Sequence, residues 1–279
     1  MQKFARNTLT LLRTPAMQPW WLRWQMKRCG VSLGIKIPFG GVIRSFSSFS
    51  DFWSVRQMVP SIGESRLIER AVRPSSINFD VGANVGAFTL AIAKACSTAD
   101  VYSFEPAPTT FERLRRNVEA NHAANVHLRR TAMGSQLGRA LFQVDPGSPA
   151  TNRFKTPDAP SHQCLEVDVQ TIDATLHQAE DRHLGLLKID VEGFECDVLV
   201  GATDSIRKNR WAAVLIEICP SNLYRIGRSI TDLVAVCTSL GCSLFELTVD
   251  GQKGRELTVN ELESIVLTNA LVSKADVTG

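Results

Sequence analysis

The sequence predicts an α/β fold, a mostly parallel sheet with helices on both faces. Three observations predict it. From residue 76 onward, short β runs alternate with helical segments at the spacing of βαβ units. The first of those runs ends in a glycine-containing turn that opens a helix. The last two β runs follow one another with no helix pattern between them, which predicts an antiparallel hairpin closing the sheet. Together these describe a Rossmann-like sheet of seven strands with an N-terminal extension in front of it.

The elements follow in order. Residues 64–72 (ESRLIERAV) form a short amphipathic helical pattern stopped by Pro74. INFDVG is the first β run and AFTLAIAKAC a buried helix. VYSFEP is the second β run, ended by Pro106, and residues 109–121 read as a charged amphipathic helix. NVHLRRTAM reads as a third strand. Gly, Pro, Ser and Asp are dense over 134–163, predicting a hairpin or loop excursion. LEVDVQTID is strand-like, residues 174–182 helical, GLLKIDVEG the fourth core strand and residues 195–208 a helix. AAVLIEICP is a further strand and residues 229–240 a helix, before CSLFELTV and SIVLTNAL close the sheet.

Composition narrows the class. The 279 residues are 44% hydrophobic and 21% charged, which fits a folded domain rather than a disordered or coiled-coil chain. No window approaches the ~18 consecutive apolar residues of a membrane-spanning helix, so an integral membrane protein is not expected. The net charge of +3 is unevenly placed: residues 1–50 carry eight basic side chains and no acid, leaving a net −5 for the rest. The seven cysteines have scattered spacing without CxxC pairs, which suits a reducing, cytoplasmic compartment. No compact apolar stretch with a cleavage site opens the chain, so a secretory signal is not expected.

The strongest chemical signal is DVGANVG, from Asp80 to Gly86. In open α/β sheets a ligand sits at the carboxyl end of the strands, where the loop turns into a helix. Nineteen residues beyond Gly86, the second strand ends in Glu105, close to the ~20 expected for an acid that binds ribose hydroxyls. A dinucleotide loop wants a middle glycine, and here that place is Asn84. Asp80 directly before the loop would repel a pyrophosphate and favour a cationic ligand, as the sulfonium and ammonium of S-adenosylmethionine would be.

INFDVGANVGAFT, YSFEPAPTTFERLRRNVEAN, LLKIDVEGFECDVLVGA and AAVLIEI, in that order, resemble the FkbM family of S-adenosylmethionine-dependent methyltransferases over about residues 60–220. KIDVEGFE is the most family-specific of the four. The resemblance implies a class I methyltransferase sheet and methyl transfer to a hydroxyl of a sugar, glycolipid or polyketide-like metabolite. It implies cofactor contacts at Asp80, Gly82, Asn84 and Gly86, with ribose bound by Glu105. It divides the chain into a basic, aromatic extension over 1–59 and a cofactor-binding domain over 60–279. Residues 1–59 and 134–163 lie outside the resemblance and are where acceptor choice would be decided.

Lys188, Asp190 and Glu192 alternate at the end of a core strand, and period-two geometry puts them on one side. Asp190 or Glu192 could take the acceptor's proton as general base; Lys188 could do so only if desolvated and otherwise keeps a neighbouring carboxylate ionised. A purely structural Lys–Asp pair is the competing reading. Glu217 ends the next strand and could meet the same cavity, and His162 in the excursion could approach a substrate. No required metal is expected.

Trp20, Trp21 and Trp24 with nearby basic residues suit a helix packed on the domain, a peripheral membrane contact over 1–30, or a nucleic-acid face. The acidic body disfavours nucleic acid. Three rivals to an O-methyltransferase remain: an N- or RNA-directed methyltransferase, a non-catalytic cofactor-binding module acting as an assembly partner, and a nicotinamide oxidoreductase disfavoured by Asn84.

Overall fold

The computed structural model describes residues 34–44, 54–143, 153–154, 164–176, 182–208 and 210–274. The tryptophan cluster and His162 lie outside the described residues. Two short strands, β1 (Ile35–Lys36) and β2 (Val42–Ile43), pair as a hairpin. Residues 54–57 are helical and lead into α1 (Ile62–Ala71). Ser61 and Glu64 form a reciprocal capping box at its start.

The main sheet holds β3 (Ile77–Val81), β4 (Asp100–Phe104), β5 (Val126–Arg129), β10 (Leu184–Ile189), β11 (Trp211–Ile218), β12 (Ser243–Leu247), β13 (Lys253–Glu256) and β14 (Thr268–Ser273). Their order is β13-β12-β14-β11-β10-β3-β4-β5. The pairs from β11 through β10, β3 and β4 to β5 are parallel. Strand β14 lies between β11 and β12 and is antiparallel to both. The crossover at β10-β3 is a topological switch point, and it places the carboxyl ends of those two strands side by side.

The helices α2 (Ala87–Ala95) and α3 (Pro108–Ala120) join α1 over one face, where Leu67, Ile68, Leu90, Ile92 and Leu114 meet Val101, Leu186 and Leu215. On the other face lie α5 (Glu195–Val200), α6 (Thr203–Arg207) and α8 (Ile230–Ser239), where Val198, Leu199, Ile206 and Leu233 pack on Phe79, Leu187, Ile189 and Ile216. Strand β10 alternates between the two cores, and all six of its residues are buried. That accounts for its nearly continuous apolar reading.

Several elements depart from the sequence reading. NVHLRRTAM is two strands, not one: β5 ends at Arg129, and β6 (Ala132–Met133) belongs to a second sheet. That sheet, ordered β6-β9-β7-β8, is built from β7 (Gly138–Gln143), β8 (Arg153–Phe154) and β9 (Cys164–Gln170). The 134–163 excursion thus contains a hairpin, and LEVDVQTID pairs with it rather than with the main sheet. The helix expected over 174–182 starts earlier, as α4 (Ile172–Leu176), with residues 177–181 outside the described residues, and that over 195–208 is broken at Gly201 and Ala202. A turn of helix follows β11, α7 (Pro220–Arg225). Between the two closing strands lie an eighth sheet strand, β13, and the helix α9 (Val259–Ser264), capped by Thr258 and Glu261. Polar content over 253–264 hid both. Among the described residues no helix is long and apolar enough to cross a membrane.

Candidate active site

Strand β3 delivers Asp80 to the rim of the sheet, and the chain then turns through Gly82 to Gly86. The N–H groups of Gly82 and Ala83 both donate to the Phe104 carbonyl at 3.0 Å, which hooks the turn onto the end of β4. Gly82 has φ 80° and Asn84 φ 49°, left-handed conformations that shape the loop. Asn117 on α3 pins the far side by donating to the Val85 carbonyl at 2.9 Å.

Glu105, only 5% exposed, follows β4 and folds over this loop. Its carboxylate accepts from the Asn84 N–H at 3.1 Å and the Ala107 N–H at 2.9 Å. Burial pushes its pKa up to about 7 against the pull of those two bonds. Asp80 accepts from the Thr89 hydroxyl at 2.6 Å. Burial raises it to about 6, with Thr89 and Lys188 pulling the other way.

The second half of the site comes from β10, β11 and β14. Register aligns Lys188 with Asp80, Ile189 with Ile216, and Glu217 with Asn269. Lys188 is 1% exposed; its Nζ lies 3.5 Å from Asp190 Oδ2, 3.3 Å from the Ile189 carbonyl and 3.4 Å from Asn269 Oδ1. Its ammonium also sits 5.3 Å from the Phe88 ring centre. Burial alone would lower the lysine's pKa, but Asp190, Glu217, Glu64 and Asp80 together hold it above the ordinary value. Glu217 is raised by burial and then by the charge of Asp190, with which it shares a hydrogen bond. Burial and the neighbouring acids thus favour the protonated form of Glu217.

Strand β10 ends at Ile189, so Asp190 and Glu192 stand in a turn and not on a strand face. Glu192 has φ 57°, and its carboxylate accepts from the Asn222 amide at 2.8 Å. Glu195, buried at the start of α5, holds the turn by accepting from the N–H groups of Val191 at 3.2 Å and Gly193 at 3.1 Å.

One cavity of about 440 Å³ joins both halves. Asp80, Gly82, Asn84, Glu105, Lys188, Asp190 and Glu192 line it, as does Glu217. Gly86 does not: a Cβ there would lie 2.6 Å from Leu114 Cδ1, so its bareness serves the packing of α2 on α3. Sequence reasoning missed Glu64, Asn269, Thr131 and Phe142 in the lining, and residues 57–59 beside them. Glu64 had a readable signal, the SIGE capping box at 61–64; Asn269 had none, since only the register of β14 brings it to Glu217. Glu64 accepts from the Ser61 N–H at 2.6 Å and from the Asn269 amide, joining α1 to Lys188. The Thr131 hydroxyl is buried in the lining with no partner among the described residues.

The chain is 30% identical to Methyltransferase 1 of Beauveria bassiana over 164 residues, covering 51% of this chain and 64% of that protein. It is 29% identical to the hexuronic acid methyltransferase AglP of Haloferax volcanii over 175 residues, covering 61% and 67%. It is 28% identical to the 31-O-demethyl-FK506 methyltransferase FkbM of Streptomyces tacrolimicus over 162 residues, covering 48% and 62%. The matched region thus spans roughly two thirds of each relative's length or somewhat less. A family model described as the methyltransferase FkbM domain matches residues 80–244, more than half of the chain and all of the loop, strand-end and turn residues described above from Asp80 to Glu217; the chain belongs to the FkbM methyltransferase family.

Proposed function

We propose that this chain is an S-adenosylmethionine-dependent O-methyltransferase whose acceptor is a hydroxyl of a sugar, glycolipid or polyketide-like metabolite. The observation that carries the reading is the single cavity in which the Asp80–Glu105 loop faces the Lys188, Asp190 and Glu217 cluster.

The residues present fit the cofactor. The described lining holds six acidic side chains, Glu64, Asp80, Glu105, Asp190, Glu192 and Glu217, of which Glu217 favours its protonated form, against one cation, Lys188. A ligand carrying sulfonium and ammonium charges is drawn to such a wall, whereas a pyrophosphate is repelled. Glu105 retains acceptor capacity on both oxygens for ribose hydroxyls, and the free Thr131 hydroxyl offers a further polar contact. Asp80, Asn84 and Glu105 would hold the cofactor. When bound, S-adenosylmethionine supplies an electrophilic methyl carbon.

The chain's own residues do the rest. Asp190, 3.5 Å from the Lys188 ammonium, accepts the acceptor hydroxyl's proton. Glu217 keeps its proton and hydrogen-bonds Asp190, steadying its orientation. Glu192, Asn222 and residues 57–59 also line the cavity and would meet the acceptor. Positioning two reactants in one enclosed site supplies much of the rate enhancement. Relatives named for a hexuronic acid and for 31-O-demethyl-FK506 support an oxygen-bearing acceptor.

The test is calorimetric titration with S-adenosylmethionine, S-adenosylhomocysteine and NAD in parallel, followed by transfer of labelled methyl to a panel of hydroxylated acceptors. Saturable binding of the first two and labelled ether product support the reading. Binding of NAD alone overturns it, and cofactor binding without transfer to any acceptor leaves the non-catalytic module as the better account.

A further inference from the structure

The pole of the sheet opposite the candidate active site carries the reverse charge. A second recess of about 320 Å³ lies at the amino end of β11, between the last turn of α1, the loop leading into β13 and the end of β14. Arg70, Arg73, Lys253 and Lys274 line it, and no acidic side chain does so among the described residues. The body of the chain beyond residue 50 is net acidic, so four cations around one small recess are not a sample of the average surface.

The recess is also organised. The Lys253 ammonium is 4.5 Å from the centre of the Phe245 ring and donates to the Lys274 carbonyl at 3.4 Å, which holds the two lysine-bearing segments together. Arg73 donates to the Glu69 carbonyl at 3.2 Å, which fixes its stem against α1. Trp211, 6% exposed, also lines the recess, and its indole N–H is buried with no acceptor among the described residues. Buried donors are satisfied in nearly all folded proteins, so this one is an exception with a chemical meaning. Four cations around one recess and an unmet N–H donor in its lining share one complement, an anion with several acceptor oxygens.

We propose that this recess is a binding site for a phosphate or diphosphate group, distinct from the cofactor cavity and independent of the methyltransferase reading. Phosphate suits the set better than a lone carboxylate: the arginine forks can each grip two oxygens, the lysines add point charge, and the remaining oxygens are left for weaker donors such as an indole. The group arrives either on a soluble diphosphate or on an anionic lipid headgroup.

Inorganic pyrophosphate titrated into the full chain, followed by calorimetry and by the Trp211 indole resonance assigned through Trp211→Phe, tests the site. The expected result is saturable binding with a shift of that resonance, and at least about tenfold weaker binding in Arg70→Glu/Lys274→Glu. An unchanged melting temperature in that double variant shows that it is folded; if it is not, Arg70→Gln/Lys274→Gln replaces it. A second arm uses phosphatidylglycerol vesicles against phosphatidylcholine vesicles. Selective sedimentation reversed by pyrophosphate identifies the headgroup as the source, and its absence beside pyrophosphate binding identifies a soluble ligand. No saturation by about 10 mM pyrophosphate, or binding indifferent to the charge reversal, overturns the proposal.

Discussion

The main-chain carbonyl of Asp190 occupies the place where a side chain on residue 82 would begin: a Cβ on Gly82 would lie 1.8 Å from that oxygen. The Gly82 bareness therefore serves first to let the β3 turn and the β10 turn touch, and only through that contact does it shape the cavity. Gly82→Ala combines this overlap with a left-handed φ of 80°, and the two costs add. A loss of about 2–5 kcal/mol is expected, seen as a fall in melting temperature of roughly 5–15 °C. A fall below about 2 °C would mean that the 190–193 turn gives way at little cost.

Glu105→Gln preserves the shape of the side chain and removes its charge. Cofactor affinity should weaken by about 1–3 kcal/mol, roughly 5- to 150-fold in Kd, as ribose hydroxyls lose a charged acceptor. Calorimetry with S-adenosylhomocysteine reads this directly. Wild-type affinity would show that the carboxylate spends itself on the Asn84 and Ala107 N–H groups alone.

Asp80 and Glu105 titrate near 6 and 7 because burial raises both. The folded chain therefore holds these protons more tightly than the unfolded chain does. Their contribution to stability is complete below the ordinary carboxylate range and is lost as pH rises through about 6 to 7. Cationic cofactor favours the ionised forms, so its affinity should rise across the same interval with proton release. Binding heats compared in buffers of different ionisation enthalpy, from about pH 5.5 to 8, check this. An affinity and a heat that ignore pH and buffer would rule out these two groups as the cofactor's charge partners.

Asp190→Asn should lower turnover by about 100- to 10,000-fold while cofactor affinity changes little. Glu217→Gln should be far milder at neutral pH, because Glu217 already carries a proton and glutamine imitates that form. Its effect should appear on the alkaline side of the rate profile. Equal losses in both variants would place the proton-accepting role on the pair and not on Asp190.

What was legible in the sequence was the local part of the site. DVGANVG and the strand-end acid Glu105 announce themselves because a strand, a turn and a helix adjoin in the chain, and KIDVEG announces itself by charges inside an apolar run. The expectation that Glu192 shares a strand face with Lys188 failed on its reason: Glu192 faces the cavity through a left-handed turn held by Glu195. Asn269 and Thr131 were out of reach, since a lone polar residue acquires meaning only when sheet register or a neighbouring sheet sets it beside the cavity. The second sheet escaped for the same reason, as pairing of β6 with β9 joins residues far apart in the chain.

The position of β14 bears on how the chain is made. Residues 268–273 sit between β11 and β12, yet they leave the ribosome after both. Until they emerge, β12 and β13 have no edge of the main sheet to join, and β11 presents an open one. A nascent chain whose residues up to about 264 have left the ribosome, with 268–273 still inside, would thus expose two complementary strand edges at once, the condition under which neighbouring chains on a polysome cross-pair. The late insertion of this strand also completes the lysine's surroundings, because Asn269 arrives with it. Lys188 therefore gains its last polar neighbour only when the gap in the sheet is filled, so that during synthesis the cavity wall and the barrier to aggregation are finished by the same event.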